Sequence, residues 1–149
     1  HKILIAGDIK DERFIKNISK ILTLAKTAKS IKFLGKLSNK EKLDFYHQIH
    51  ILLLPSTNSF EAFGLVQLEA MSLGKLVIAS DIVGVRVPKK LTNNGNLTKI
   101  KNSQDLSMNI LKCIKMAKNK SKKDVLNSYY KNFDYNDSLN KYLSIFSRV

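Results

Sequence analysis

The stretch "HILLLPSTNSFEAFGLVQLEAMSLGKLVIAS", residues 50–80, has the pattern of a strand, a helix and a second strand. The apolar run closed by Pro55 is typical of a buried strand, and a helix is predicted from Gly64 until Gly74 stops it. "KLVIAS" then indicates the second buried strand. Two strands joined through one helix predict a parallel crossover, in which a polar loop leads from the first strand into the helix.

The same alternation continues along the chain. Further strands are predicted at 2–7, 30–35 and near 97–100, and further helices at 11–27, 38–48 and 103–118, with residues 81–96 as a loop. Residues 122–148 are predicted as two more helices parted near Asp134. We therefore expect an α/β fold, a Rossmann-like parallel sheet with helices on both faces, in a single domain covering residues 1–149.

Two helix starts carry capping signals. Ser38 and Glu41 have the spacing of a capping box, and Ser103 is predicted as the cap of a helix whose first turn contains Asp105. Parallel sheets bind ligands beyond the carboxyl ends of their strands. The loops to consider are those that follow Gly7, Gly35, Pro55 and Ser80.

Composition indicates a globular protein with an excess of positive charge. The 149 residues are 44% hydrophobic, and the net charge is +14. Compositional bias, attraction to anionic lipids and nucleic-acid binding would each explain this charge. The lysine run between Lys112 and Lys123 has no aromatic residue within it, so we do not expect nucleic acid as a partner. The lone Cys113 fits a reducing compartment, and we expect a cytoplasmic protein, with the inner membrane face as a peripheral location.

The loop and helix start at residues 60–71 concentrate chemically useful groups. The chain has four Glu, and two of them, Glu61 and Glu69, lie here eight residues apart. The first N–H groups of a helix lack internal partners and bind anions, phosphate above all. The groups in question belong to Phe63, Gly64, Leu65 and Val66. Eight helical residues span about 12 Å, roughly the distance from a sugar across a diphosphate to a ribose. The helix dipole alone also favours Glu at this position, so the spacing leaves the function open.

The stretch "PSTNSFEAFGLVQLEAMSLGKLVIASD", Pro55 to Asp81, resembles the signature region of retaining GT-B glycosyltransferases of the family 4 type, the group 1 glycosyl transferases. Shared elements are Pro-Ser, Glu-x-Phe-Gly-Leu, a second Glu eight residues after the first, Ala-Met, Gly, a Val-rich strand and Ser-Asp. "ILIAGD" and "IKFLGKLSNKEKLDFYHQIHILLLPS" match in the same order. The resemblance covers about residues 2–118 and indicates the C-terminal, donor-nucleotide-binding domain.

The resemblance implies a role for each matching residue. Glu61 would be catalytic and contact donor-sugar hydroxyls near the reacting carbon, and Glu69 would hold the ribose hydroxyls. The N–H groups of Gly64 and Leu65 would hold the distal phosphate. The remaining donor-binding residues implied in this way are Phe63, Val66, Gly7, Lys36 and Leu37, the last two beside the base. No cofactor or metal is implied. The reaction would transfer a hexose from a UDP- or GDP-sugar, with retention, to an acceptor that we expect to be lipid-linked.

The sequence also departs from the family pattern. Ile9 replaces a Gly, and the loop "DIVGVRVPKK" keeps only Gly84 of a Gly-Gly pair, which led us to consider Arg86 as a phosphate contact. The acceptor domain and the Arg and Lys that usually neutralise the diphosphate are not in this chain. We therefore expect an acceptor domain or second chain as partner. The alternative is a truncated, catalytically inactive domain with a binding or regulatory role.

Without those cations, we expect this chain by itself to be inactive and to bind nucleoside diphosphates weakly. The predicted dissociation constant is in the high micromolar range, roughly 100 μM or above. A ligand-observed NMR titration measures it, and a sub-micromolar constant would contradict this expectation.

Overall fold

The computed structural model describes residues 1–8, 11–24, 26, 28–58 and 60–147. The chain forms two compact units, residues 1–48 and residues 49–149. Each unit contains parallel strands that alternate with helices, as the sequence predicts for an α/β fold. The predicted ends of the helices at residues 27 and 148 fall outside the described residues.

The first unit contains two strands and two α-helices. Its elements are β1 Ile3–Ala6, α1 Glu12–Leu24, a short 3-10 helix Ala28–Ser30, β2 Ile31–Gly35 and α2 Asn39–Gln48. β1 and β2 pair in parallel, and beyond their carboxyl ends the Gly7 N–H donates to the Gly35 carbonyl at 2.9 Å. The predicted capping box of α2 is confirmed, since the Glu41 carboxylate accepts from the Ser38 N–H and hydroxyl.

The second unit is built on a three-stranded parallel sheet. Its elements are β3 Ile51–Leu54, α3 Leu65–Ser72, β4 Leu76–Ser80, α4 Val87–Thr92, β5 Gly95–Thr98, α5 Ser103–Asn119, α6 Lys122–Phe133 and α7 Tyr135–Phe146. β4 lies between β3 and β5, and every residue of β4 is buried. A strand covered on both faces needs a continuous apolar run, which "LVIAS" supplies. The break between the last two helices falls at Asp134, as predicted.

Three local predictions in this unit are wrong. Residues 87–92 are helical rather than loop, because Pro88 is tolerated in the first turn of a helix, where its missing N–H costs nothing. β5 begins at Gly95, two residues before the predicted strand. At Gly95 a Cβ atom would lie 1.7 Å from the Val77 carbonyl oxygen, so this glycine allows close strand approach rather than marking a loop. The cap of α5 is Asn102, not Ser103.

The start of α5 is held by one carboxylate. Asp105 accepts hydrogen bonds from the Lys99 N–H at 2.8 Å, the Thr98 hydroxyl at 3.1 Å and the Asn109 amide at 3.1 Å. The Lys99 N–H is the largest cause that lowers the pKa of this carboxylate, and the Thr98 hydroxyl adds to it, because both favour the charged form. Asp105 thus ties the end of β5 to α5.

Because the pKa of Asp105 is lower in the folded state, its stabilisation is complete above the pKa of the unfolded chain and is lost as the pH falls through the folded value. We expect Asp105→Asn to lower the melting temperature at pH 7. The difference from the native chain should shrink below about pH 4. Thermal unfolding followed by circular dichroism from pH 7 to pH 2.5 measures both.

Asp137→Asn is the matched control, since Asp137 also lies in the first turn of a helix but only its backbone N–H forms a described hydrogen bond. It should change the melting temperature at pH 7 less than Asp105→Asn does. Equal effects of the two substitutions would show that the dipole of the helix, rather than the Asp105 contacts, carries the stabilisation.

Candidate functional site

The turn into α3 depends on Gly64. This residue has φ 75° and ψ 62°, in the left-handed region, and is the residue at which the helix starts. A Cβ atom there would lie 2.6 Å from Leu54 Cδ2 and 2.8 Å from Gln67 Nε2, so these two side chains would have to shift to admit one. Glycine therefore serves two needs, a left-handed backbone and close packing against β3 and α3.

The first N–H groups of α3 are not capped by a side chain. The Gln67 N–H donates to the Gly64 carbonyl at 2.9 Å, so the helix's own bonding begins at residue 67. By contrast, α5, α6 and α7 each begin with a residue whose side chain accepts from the first turn, namely Asn102, Ser121 and Asp134. The start of α3 thus combines an uncapped helix end with the positive potential of the helix dipole.

A concavity of about 400 Å³ opens at this helix start. Its lining consists of Phe60, Glu61, Ala62, Phe63, Gly64, Leu65 and Val66. Five of the residues predicted from the sequence, Glu61 and the run from Phe63 to Val66, are therefore together. Phe60 and Leu65 are 92% and 67% exposed, so apolar side chains stand open to solvent around the backbone donors.

The other predicted residues lie outside this lining. Glu69 is half-buried in the second turn of α3. Gly7, Lys36 and Leu37 belong to the first unit, where the bond from the Gly7 N–H to the Gly35 carbonyl brings the loops after β1 and β2 together. Lys36 is exposed and Leu37 is half-buried.

A second loop supports the concavity. Residues 81–86 follow β4, which is the neighbour of β3 in the sheet. Arg86 closes this loop: its Nε lies 2.8 Å from Asp81 Oδ1 and its Nη2 donates to the Asp81 carbonyl at 3.0 Å. The guanidinium that we considered as a phosphate contact is therefore paired within its own loop.

Gln67 is a site residue that the sequence reasoning missed. Its side chain is fully buried, and its Nε2 donates to the carbonyls of Phe63 at 3.0 Å and Val85 at 2.9 Å. The available signal was a polar residue within the apolar run "GLVQLEAM", because a buried amide needs partners.

Other reactive groups lie away from this concavity. The Cys113 thiol is buried on α5, and burial is the main reason that its pKa is raised to about 11, which keeps it protonated. A larger concavity of about 470 Å³ beside α6, lined by Asp124, Asn127 and Ser128 among others, contains no predicted residue. Within the described residues, no group of three His, Cys, Asp or Glu could hold a metal ion, and no helix is long and apolar enough to cross a membrane.

A family model for "Glycosyl transferases group 1" matches residues 1–132. The chain belongs to this family. The match covers the Glu61–Val66 concavity and most of the chain around it, as the motif between Pro55 and Asp81 predicted. No curated protein matches the chain.

Solved structures of glycosyltransferases share the fold. A glycosyltransferase from Rickettsia africae is 24% identical, with a TM-score of 0.79 over 99% of this chain and 39% of its own. Anabaena Alr3699/HepE, solved in complex with UDP-glucose, is 24% identical, with a TM-score of 0.78 over 99% of this chain and 41% of its own. The C-terminal domain of LpcC from Francisella tularensis is 25% identical, with a TM-score of 0.69 over 82% of this chain and 63% of its own.

These matches establish the Rossmann-like α/β class of the GT-B glycosyltransferases. The chain spans about two fifths of the length of the first two of these relatives.

The steric role of Gly64 can be tested within one helix, because Gly64 and Gly74 flank α3 with φ 75° and 77°. A left-handed alanine costs about 1–2 kcal/mol at either position. A Cβ atom at Gly74 meets only the flexible Lys122 side chain, whereas one at Gly64 meets Leu54 and Gln67. We expect Gly64→Ala to reduce the free energy of unfolding, measured in urea, by more than Gly74→Ala. Equal losses would contradict the packing described for Gly64.

Proposed function

We propose that this chain is the donor-binding domain of a retaining glycosyltransferase, which transfers a hexose from a nucleoside diphosphate sugar. The observation that carries the proposal is the uncapped start of α3, which opens into a concavity lined by Glu61 in a chain of this family. A domain of this kind holds the leaving nucleotide and the sugar, while the acceptor approaches from elsewhere. We treat residues 1–149 as one nucleotide-sugar-binding domain with C-terminal helices at about 122–148.

The N–H groups of Gly64 and Leu65 would hold the distal phosphate, with those of Phe63 and Val66 beside them. Support comes from the left-handed Gly64, whose missing side chain leaves the backbone open to a close approach. As the glycosidic bond breaks, negative charge develops on the leaving phosphate. Donors that are already oriented stabilise this charge without reorganising, and the α3 dipole adds to their effect. The chain's own backbone thus supplies electrostatic stabilisation of the leaving group.

Glu61 and Glu69 would hold the two sugars of the donor. Carboxylates accept hydrogen bonds from paired hydroxyls and are poor neighbours for phosphate, so they belong at the ends of the donor rather than at its diphosphate. Glu61 precedes the helix and lines the concavity, where it would contact hydroxyls near the reacting carbon. Glu69 lies in the second turn of α3, about 6 Å by helical rise beyond the helix start at Leu65, where it would hold the ribose.

The base would lie at the loops of the first unit, beside Lys36 and Leu37, with Gly7 close to the nucleotide. These loops follow the carboxyl ends of β1 and β2, the usual ligand side of a parallel sheet. For the base itself we propose uridine. The support is that Anabaena HepE, which has the same fold, was solved with UDP and with UDP-glucose. A GDP-sugar is the alternative donor to be compared with it.

The acceptor would be bound by another domain or a second chain, and this chain by itself would be inactive. The support is that the chain spans about two fifths of the length of its structural relatives. We further propose a lipid-linked acceptor and a peripheral position at the inner membrane face. One structural neighbour is a lipopolysaccharide outer core galactosyltransferase, and the net charge of +14 would favour an anionic lipid surface.

A binding experiment tests the donor site. We expect UDP to bind the chain saturably and more tightly than GDP, measured by ligand-observed NMR. Glu69→Gln should weaken UDP binding by about tenfold to 100-fold, since a hydrogen-bonded carboxylate contributes roughly 1.5–3 kcal/mol. Glu41→Gln is the matched control, because Gln also completes a capping box and Glu41 lies outside the site. Undiminished binding by Glu69→Gln would refute the ribose role.

A kinetic experiment tests Glu61. In the enzyme completed by its acceptor-binding part, we expect Glu61→Gln to lower kcat for sugar transfer by about 100-fold or more, with a smaller change in KM for the donor. The reason is that contacts near the reacting carbon strengthen in the transition state. Transfer at the native rate by this variant would show that Glu61 has no catalytic role.

A further inference from the structure

The buried side chain of Gln67 lies between the loop that lines the proposed donor site and the loop after β4. Its side chain is 0% exposed, and both protons of its amide are used, one toward the Phe63 carbonyl at 3.0 Å and one toward the Val85 carbonyl at 2.9 Å. Since both neighbours are carbonyl oxygens, the amide nitrogen rather than the amide oxygen must face them. The amide therefore bridges two backbone segments that are far apart in sequence.

The two bridged segments are the loops that form and support the concavity. Phe63 lies in the lining, and Val85 lies in the loop after β4. The loops also touch directly, because a Cβ atom at Gly84 would lie 1.6 Å from the Ala62 carbonyl oxygen. The contacts between Asp81 and Arg86 close the loop after β4. Gln67 connects this loop to the loop that lines the concavity.

The hydrogen-bonding capacity of the buried Gln67 amide is only partly used. Gln67 Oε1 is buried and has no hydrogen-bond partner among the described residues. A buried polar atom without a partner costs about 1–3 kcal/mol, and a methionine of similar size would remove that cost but would leave the Phe63 and Val85 carbonyls without the amide's donors. The amide provides two hydrogen-bond donors with fixed directions, and an apolar side chain provides none.

The hydrogen bond from Gln67 to the Phe63 carbonyl also constrains the direction of the Gly64 N–H. The Phe63 C=O and the Gly64 N–H belong to one planar trans peptide group, in which they point in opposite directions. Holding the carbonyl oxygen toward Gln67 therefore holds the Gly64 N–H away from it. That N–H is one of the groups to which we assign the distal phosphate.

We propose that Gln67 is a positioning residue of the donor site, which orients the Gly64 N–H through its hydrogen bond to the Phe63 carbonyl and is itself braced by Val85. The inference rests on the proposed function for the ligand, but the orientation of the peptide does not depend on it. A glycine with left-handed backbone has wide freedom, so an external tether is needed to hold its N–H in one direction. Gln67 supplies that tether from within the same helix.

The test compares Gln67→Met with the native chain in two measurements. We expect the UDP dissociation constant, from ligand-observed NMR, to rise about tenfold, the loss of one well-aligned donor. We also expect the backbone order parameter of the Gly64 N–H, from 15N relaxation without ligand, to fall from about 0.85 toward 0.6.

Two control variants separate positioning from stability. Gln104→Met makes the same chemical change at an exposed position and should alter neither quantity. Asn94→Leu removes another fully buried amide, which donates to the Val125 carbonyl, and should lower the melting temperature without changing either quantity. If Gln67→Met does not fold, Gln67→Asn replaces it, since the shorter amide cannot reach both carbonyls and should shift both quantities in the same direction.

The results for the Gln67 and Asn94 variants separate the positioning role of Gln67 from general destabilisation. An unchanged Gly64 order parameter in a folded Gln67 variant overturns the proposal, as does native UDP affinity in that variant. Absence of UDP and GDP binding by the native chain at millimolar concentration counts against the proposed function, and the order parameter then decides the positioning role alone. A rise in the UDP dissociation constant together with a fall in the Gly64 order parameter for Asn94→Leu as well would show that general destabilisation, not the tether, loosens the loop.

Discussion

The left-handed turn at Gly64 is the constraint on which the second unit depends. It redirects the chain from the loop after β3 into α3, and Leu54 and Gln67 pack closely against this residue, which has no side chain. The same turn leaves the first helix donors uncapped. One conformational requirement thus produces both the packing of α3 and the uncapped helix start to which we assign an anion, which links the fold of this unit to the function that we propose for it.

The strands and the loops of the second unit are stabilised in different ways. β4 is apolar and covered on both faces, so it fixes where the loops after β3 and β4 emerge at one edge of the sheet. The loops themselves are held by the Asp81–Arg86 ion pair and the two hydrogen bonds from Gln67, and they approach each other closely at Gly84 and Ala62. A rigid sheet therefore carries a site whose detailed shape depends on a few hydrogen bonds.

Much of this architecture follows from the sequence because the relevant signals are local. Apolar runs predicted β3 and β4, Gly64 and Gly74 marked the ends of α3, and the motif from Pro55 to Asp81 indicated the family. The failures have local causes too. Pro88 indicates a loop unless its place in a first helical turn is known, and Gly95 indicates a turn unless the approach of Val77 is known. Gln67 could not be assigned a role because both of its partners are backbone carbonyls, which carry no signature in the sequence.

The central claim is that the start of α3 binds the diphosphate of a nucleotide sugar. Amide chemical shifts of the 15N-labelled chain during a UDP titration test it most directly. The account predicts saturable shifts that are largest at Gly64 and Leu65. Shifts confined to the lysine-rich segment between Lys112 and Lys123, or a spectrum that UDP leaves unchanged, would contradict it.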